Sequence, residues 1–226
     1  MAKRTLMQRF ARWHIWLGWV IAIPMLLWMI SGLFMVSRPI EQVRGNHLRI
    51  EAAELPLPAE LPELPQLSQP AKSLSIAMDG DQPVIQAELL DGTVARYDKD
   101  GRQLPLLDEN AARALVARQI VGGTAVESAT FFAADKVPFD FRRETPVWRI
   151  ALKDGTRVYV GQQTGRIEAV RTRWWQVFDF MWGLHILDPQ TREDTSHPLL
   201  ILAAVLGLVG TMLGCVLLFR RRKAKR

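Results

Sequence analysis

The chain is 226 residues long, 49% apolar and 23% charged, a balance that excludes a disordered or low-complexity polypeptide. Its mean hydropathy of +0.03 is high for so many charges, so the apolar residues must be concentrated. Residues 14–36 and 198–219 carry no formal charge. Each run can cross a hydrocarbon core of ~30 Å at ~1.5 Å per residue, which excludes a wholly soluble enzyme.

The net charge of +6 is unevenly spread. Lys3, Arg4, Arg9 and Arg12 stand before the first run, and Arg220, Arg221, Arg222, Lys223, Lys225 and Arg226 after the second, with no acid in either tail. Between the runs the acids outnumber the bases. Basic tails of this kind follow the positive-inside rule and favour anionic head groups, so they imply the lipid bilayer as partner and no nucleic acid. The expected topology places both termini in the cytoplasm and the intervening chain in the periplasm of a bacterial inner membrane. Cys215, the single cysteine, lies inside the second run, so no disulfide, haem-attachment pair or iron–sulfur spacing is available.

In chain order, residues 1–13 are a basic tail and residues 14–37 a transmembrane helix with Pro24 inside it. The run is too long for a signal-peptide apolar region, and Ser37-Arg38-Pro39 is a poor cleavage site, so a signal anchor is expected. Residues 38–72 form a linker. Pro56, Pro58, Pro62, Pro65 and Pro70 make its second half extended. Residues 73–173 read as a small α+β domain. Residues 84–90 and 93–98 alternate around Asp91-Gly92, a hairpin signal. Residues 108–121 read as an amphipathic helix with Asp108 as N-cap and Ala111, Leu115, Val116 and Ile120 apolar. Strands are expected at 125–133, 147–153, 157–161 and 167–171.

Residues 84–93 (VIQAELLDGT) align without a gap on 147–156 (VWRIALKDGT), an offset of 63. After one inserted residue Gly101-Arg102 falls on Gly165-Arg166. Asp-Gly followed by Gly-Arg is the turn chemistry of a three-stranded antiparallel meander. Two related β-meanders are expected, with the helix between them; chance recurrence of Asp-Gly-Thr turns is the alternative. Residues 174–188 contain Trp174, Trp175, Phe178, Phe180, Met181, Trp182 and His185. Too short to span, they are expected to lie as an interfacial helix, with Trp174, Phe178, Met181 and His185 on one face. Thr195-Ser196 are candidate caps for the second transmembrane helix, residues 198–219, and 220–226 form the second basic tail.

No hydrolase elbow, zinc-protease motif, phosphate loop or dinucleotide fingerprint occurs, and no charge lies deep in either apolar run. The histidines are the candidates for chemistry. His14 opens the first apolar run with Gly18 one turn later, an arrangement suited either to haem ligation or to an interfacial histidine. His185 sits on the aromatic face. His197 opens the second run as a helix-terminal residue, and His47 lies in a polar loop. Ala203, Gly207, Gly210 and Gly214 form a small-residue stripe on the second helix. It suits close packing on another copy or on the first helix of the same chain.

The chain resembles the PepSY-associated transmembrane family. The resemblance rests on His14-Ile15-Trp16-Leu17-Gly18, Ser31-Gly32-Leu33, the strand–turn–strand at 158–167 with Thr164-Gly165, and Leu184-His185 before the final apolar run. It covers most of the chain apart from residues 51–72. The chain differs from that pattern in having Gly161 where the family often has an acid, and two spans where its larger relatives have four. Those relatives include inner-membrane reductases of siderophore-bound iron that hold b-type haem between helix histidines. The resemblance therefore implies a PepSY-like periplasmic domain, haem b, and His14 and His185 as its ligands. A span of ~30 Å separates these two histidines, so each haem requires a second copy or another subunit. A parallel homodimer, or a larger membrane complex, would stack two haems and carry electrons across the membrane toward an iron-siderophore or other redox partner. The alternative implied function is a cofactor-free, membrane-anchored PepSY module that scaffolds or regulates another envelope protein.

Overall fold

The computed structural model describes residues 2–51, 55–67 and 69–223. Met1 and residues 224–226, the extremities of the two basic tails, lie outside the described residues, as do Ala52, Ala53, Glu54 and Ser68 of the proline-rich linker. The chain divides into a helical unit, residues to 39 and from 176, and a β-rich unit, residues 40–175.

The helical unit contains α1 (Ala2–Met35) and α5 (Pro198–Lys223), together with most of α4 (Arg173–His185). Leu6–Met35 and Pro198–Phe219 are long and apolar enough to cross a membrane. Trp16, Trp19, Leu33, Leu208 and Phe219 are well exposed, a surface that lipid covers at no cost and water does not. α1 begins before residue 14, because nothing in residues 2–13 breaks a helix. It runs unbroken through Pro24.

α1 and α5 meet along the small-residue stripe. Ala203, Gly207 and Gly210 are buried. A Cβ on Gly210 would stand 3.3 Å from Ile21 Cδ1, and one on Gly214 2.9 Å from His14 Cε1. Gly210 and Gly214 are thus covered by α1 of the same chain, while a Cβ on Gly207 would meet nothing within 4 Å. Thr195 and Ser196 do not cap α5. Asp194 Oδ1 accepts the Ser196 N–H at 2.8 Å, and the His197 carbonyl accepts the first helical N–H groups, from Leu200 and Ile201.

The β-rich unit holds a short α2 (Ile40–Val43), α3 (Glu109–Gln119) and two antiparallel sheets. The first comprises β1 (Ala71–Asp79), β2 (Gln82–Leu89) and β3 (Val94–Tyr97). The second comprises β4 (Val126–Phe132), β5 (Val147–Leu152), β6 (Arg157–Gly161) and β7 (Ile167–Arg171). Asp108 caps α3 by accepting the Ala111 N–H at 2.8 Å. Ala112, Leu115 and Val116 of α3 join Ile150, Val158, Val160 and Val170 in the main core. The opposite face of the second sheet is covered by Phe141, which stacks on Tyr159 with centroids 5.0 Å apart. Burial, and then the Asp140 carboxylate accepting its O–H at 2.7 Å, push the Tyr159 hydroxyl well above its ordinary pKa.

The 63-residue offset carries over to backbone pairing. Ile85↔Tyr97, Gln86↔Arg96, Ala87↔Ala95 and Glu88↔Val94 become Trp148↔Val160, Arg149↔Tyr159, Ile150↔Val158 and Ala151↔Arg157. Leu89 N–H donates to Thr93 O at 2.9 Å, as Leu152 N–H does to Thr156 O at 2.8 Å. Asp91 and Asp154 accept the backbone N–H two residues on, at 2.9 and 2.8 Å. Gly92 and Gly155 adopt φ of 83° and 85°, the left-handed turn conformation that glycine enters without penalty.

The meanders differ at their edges. The third strand of the first repeat shrinks to one bridge, Tyr97↔Gln103, flanked by the Leu104 N–H donating to Arg96 O and the Asp98 N–H to Arg102 O. A strand not expected from the sequence, β1, completes that sheet on its other side. It follows directly on Pro70, and its exposed edge position softens the hydrophobic alternation that would mark it.

Two glycines separate backbone strain from steric room. Gly92 has a positive φ but open space around it, whereas a Cβ on Gly123 would stand 2.1 Å from the Val116 carbonyl oxygen. Gly92→Ala should lower stability by about 1 kcal/mol, and Gly123→Ala by roughly 3 kcal/mol or more. Thermal or chaotropic unfolding of the two variants, compared side by side, checks the ranking.

Candidate functional site

The two histidines singled out from the sequence occupy similar settings at opposite ends of the helical unit. His14 Nδ1–H donates to the Gly210 carbonyl at 2.9 Å. Its imidazole fits beside α5 because Gly214 has no side chain. Gly18, one turn along α1, has no atom within 4 Å of the position a Cβ would take, so the surface beside His14 is open there.

His185 Nδ1 lies 3.0 Å from Ser31 Oγ, on the last turns of α1. Ser31 is fully buried and its hydroxyl donates to the Leu27 carbonyl one turn back. A serine has one proton to give, so Ser31 accepts from His185 Nδ1–H. The ring passes 3.5 Å from the position a Cβ would take on Gly32 and stacks against Trp182, centroids 6.4 Å apart. In both histidines the Nδ1 proton is committed to an oxygen and the Nε2 lone pair is left over. That is the tautomer a metal-bound imidazole needs, with the oxygen acting as the outer partner that orients the ring. The donor set fits haem ligation at each end, one imidazole per chain. Ser31 lies seventeen positions along α1 from His14, about 25 Å of helix rise, so the two rings serve separate sites.

The sequence reading placed Trp174, Phe178, Met181 and His185 on one face of α4. That face is only partly covered, and the side buried in the protein is another: Trp175, Asp179, Gly183 and, just past the helix, Ile186. The reason is the loop after α4, which folds back on it. Asp179, 4% exposed, pairs with Arg192 at 2.8 Å. The Arg192 stem crosses Gly183, where a Cβ would stand 2.7 Å from its Cγ. The Trp182 indole N–H donates to the Arg192 carbonyl at 3.1 Å. Asp188, also buried, closes the loop by accepting from the Thr191 hydroxyl and from the backbone N–H groups of Thr191, Glu193 and Asp194. These bonds, the Thr191 hydroxyl first, hold the Asp188 carboxyl far below its ordinary pKa. Their stabilisation is in place above the ordinary value of 3.8 and is lost only as the pH falls below it. Sequence reasoning saw this stretch only as an acidic loop. The usable signal was Asp179, an acid inside an aromatic run, with a single arginine thirteen residues on.

His197 begins α5 with its Nδ1 buried and without a hydrogen-bond partner. His47 is exposed in a 3-10 turn, Asn46–Leu48. Among the described residues no group of three or more His, Cys, Asp or Glu side chains is placed to hold a metal ion. Between α1 and α5, and against Leu184 and Leu187, lies an apolar cavity of about 380 Å3 that includes Pro24 and Ala203.

The Asp179–Arg192 pair holds the loop that backs Trp182 and, through it, His185. Removing one partner of a buried ion pair strands the other charge, so Arg192→Met should destabilise the protein by roughly 3 kcal/mol. The double variant Asp179→Leu/Arg192→Met should lose less than the single change. A double-mutant cycle on melting of the detergent-solubilised protein measures both.

A family model described as the PepSY-associated TM region matches residues 11–226. No curated protein and no solved structure matches the chain.

Proposed function

We propose that this membrane protein, which belongs to the PepSY-associated transmembrane family, is an electron-transfer unit of the bacterial inner membrane that feeds reduction of siderophore-bound iron in the periplasm. In this reading b-type haem is held between two copies of the chain, by His14 on the cytoplasmic side and His185 on the periplasmic side. Both termini are cytoplasmic and the β-rich unit is periplasmic. The single observation that carries the reading is the shared setting of the two rings, each with Nδ1 within 3.0 Å of a fixed oxygen, an arrangement that suits Nε2 to a metal. When bound, haem supplies one-electron exchange at a potential set by its axial ligands and surroundings.

The chain's own residues supply the rest. Ser31 and the Gly210 carbonyl fix ring orientation. Trp182 packs beside His185, and the Asp179–Arg192 pair steadies the segment that bears both. The apolar residues of α1 and α5 keep water from the helix pair.

A visible spectrum of the detergent-purified protein, recorded oxidised and then reduced, tests the reading. A Soret band with sharpened α and β bands on reduction is expected. His14→Ala and His185→Ala should each remove about half of the haem, since ~25 Å of helix makes the sites independent, and His47→Ala should remove none. Protein that assembles without any tetrapyrrole would sink the proposal and favour the cofactor-free scaffold. Full haem content in the double His14/His185 variant would show that other groups are the ligands.

The topology has its own test. Alkaline phosphatase fused after Pro70 should be active and fused at the C-terminal tail inactive, because ten of the 29 lysines and arginines flank the two helices from the same side. The reverse pattern would overturn the orientation.

A further inference from the structure

The β-rich unit contains a polar cavity of about 290 Å3 where the turn between β6 and β7 meets the first sheet. Two bonds hold that turn in place: Gln86 Nε2–H donates to the Thr164 carbonyl at 3.0 Å, and the Gln163 side-chain oxygen accepts the Val94 N–H at 3.3 Å. Three arginines line the cavity, Arg49, Arg96 and Arg166. Its one acid, Asp79, already pairs with Arg118 at 3.1 Å. Arg49 and Arg166 are exposed at the cavity's edge, and Arg49 reaches the Ile167 carbonyl at 3.3 Å.

Arg96 is the unusual member. It is only 9% exposed, yet among the described residues its hydrogen bond is to a neutral partner, Nη2–H to the Pro105 carbonyl at 2.9 Å. The arginines at 113, 118, 143, 157 and 192, by contrast, each have a carboxylate within 3.1 Å. The Arg96 guanidinium lies over Gly165, where a Cβ would stand 2.3 Å from Nη1. That glycine, at φ 64°, keeps the space clear. Burial depresses the Arg96 pKa against an opposing pull from the Asp79 carboxylate, and a guanidinium so depressed still carries its charge. A buried, permanently charged fork beside two further guanidiniums is costly unless an anion completes it.

We propose that this cavity is a binding site for a small multivalent oxyanion, a compact polycarboxylate or a phosphate, with Arg96 as the buried anchor and Arg49 and Arg166 at the mouth. The volume lies at the foot of the range for organic-ligand pockets, which suits a small anion better than a larger ligand. Three arginines along its lining suit two or three acidic oxygens arranged around one centre. The site is independent of haem and stands whether or not His14 and His185 ligate a metal.

The test is calorimetric titration of the full-length detergent-purified protein, in chloride buffer, with citrate and with inorganic phosphate separately. Saturable binding of at least one is expected. A preference for citrate assigns the site to polycarboxylates, and a preference for phosphate to phosphates. Arg49→Gln and Arg166→Gln, both at exposed positions that leave the core intact, should each weaken binding about tenfold, the loss of one charge-assisted contact. Arg96→Gln should abolish it, and its melting temperature in the absence of ligand reports whether the domain still folds. Absence of binding by either probe up to about 10 mM would overturn the proposal. So would binding that is unchanged in both exposed variants, which would locate it elsewhere.

Discussion

α1 and α5 approach closely because two side chains are absent. At Gly210 and Gly214 the α5 backbone is bare, and the space is taken by Ile21 and by the His14 imidazole. A histidine among lipid-facing helices needs a partner for its N–H. Here the partner is a carbonyl that the bare backbone brings within 2.9 Å. One contact therefore sets helix spacing, ring orientation and tautomer together. Along the small-residue stripe Gly210 and Gly214 are covered within one chain, while a Cβ on Gly207 would meet nothing within 4 Å.

At the other end of the helical unit the same problem has a polar solution. His185 is held by Ser31, and α4 is backed by a loop whose charges are all spoken for. Asp179 pairs with Arg192, and Asp188 accepts the loop's own N–H and O–H groups. Buried charges persist only when paired and fully bonded. Their presence so close to a candidate ligand is what a rigid site requires: the ring is fixed by a hydrogen bond, and the helix bearing it by an ion pair.

The two meanders show how one backbone can be put to different uses. Under the 63-residue offset Tyr159 of the second repeat stands where Arg96 stands in the first. Tyr159 is stacked under Phe141 and bonded to Asp140, a closed and largely apolar setting. Arg96 borders an open polar cavity with one carbonyl for a partner. The fold-bearing positions, the Asp-Gly turns and their register, are kept in both. The residue between them has become core in one repeat and a charged anchor in the other. Gly161 belongs to the same account: the Glu168 and Thr164 side chains occupy the space its own side chain would fill, bonded to each other at 2.6 Å.

Much of this was legible without coordinates. Uncharged runs of sufficient length announce membrane helices, since hydrocarbon tolerates nothing else. Asp108, the Asp-Gly turns and the alternation of 147–152 and 157–161 are local signals written in adjacent residues, and all became the elements they announced. His14 and His185 stood out as candidates because histidines are few. β1 was missed because an edge strand buries too little to impose alternation. The buried side of α4 was not legible, because helical spacing picks out the apolar face, whereas a folded-back loop buries an acid and a glycine. Gly210 beneath His14, Ser31 beneath His185 and Arg49 on Ile167 at the cavity join residues 196, 154 and 118 positions apart. Local sequence determines which elements form. Only tertiary packing decides which distant groups share a proton or a charge, because that depends on shape and desolvation, which no single segment carries.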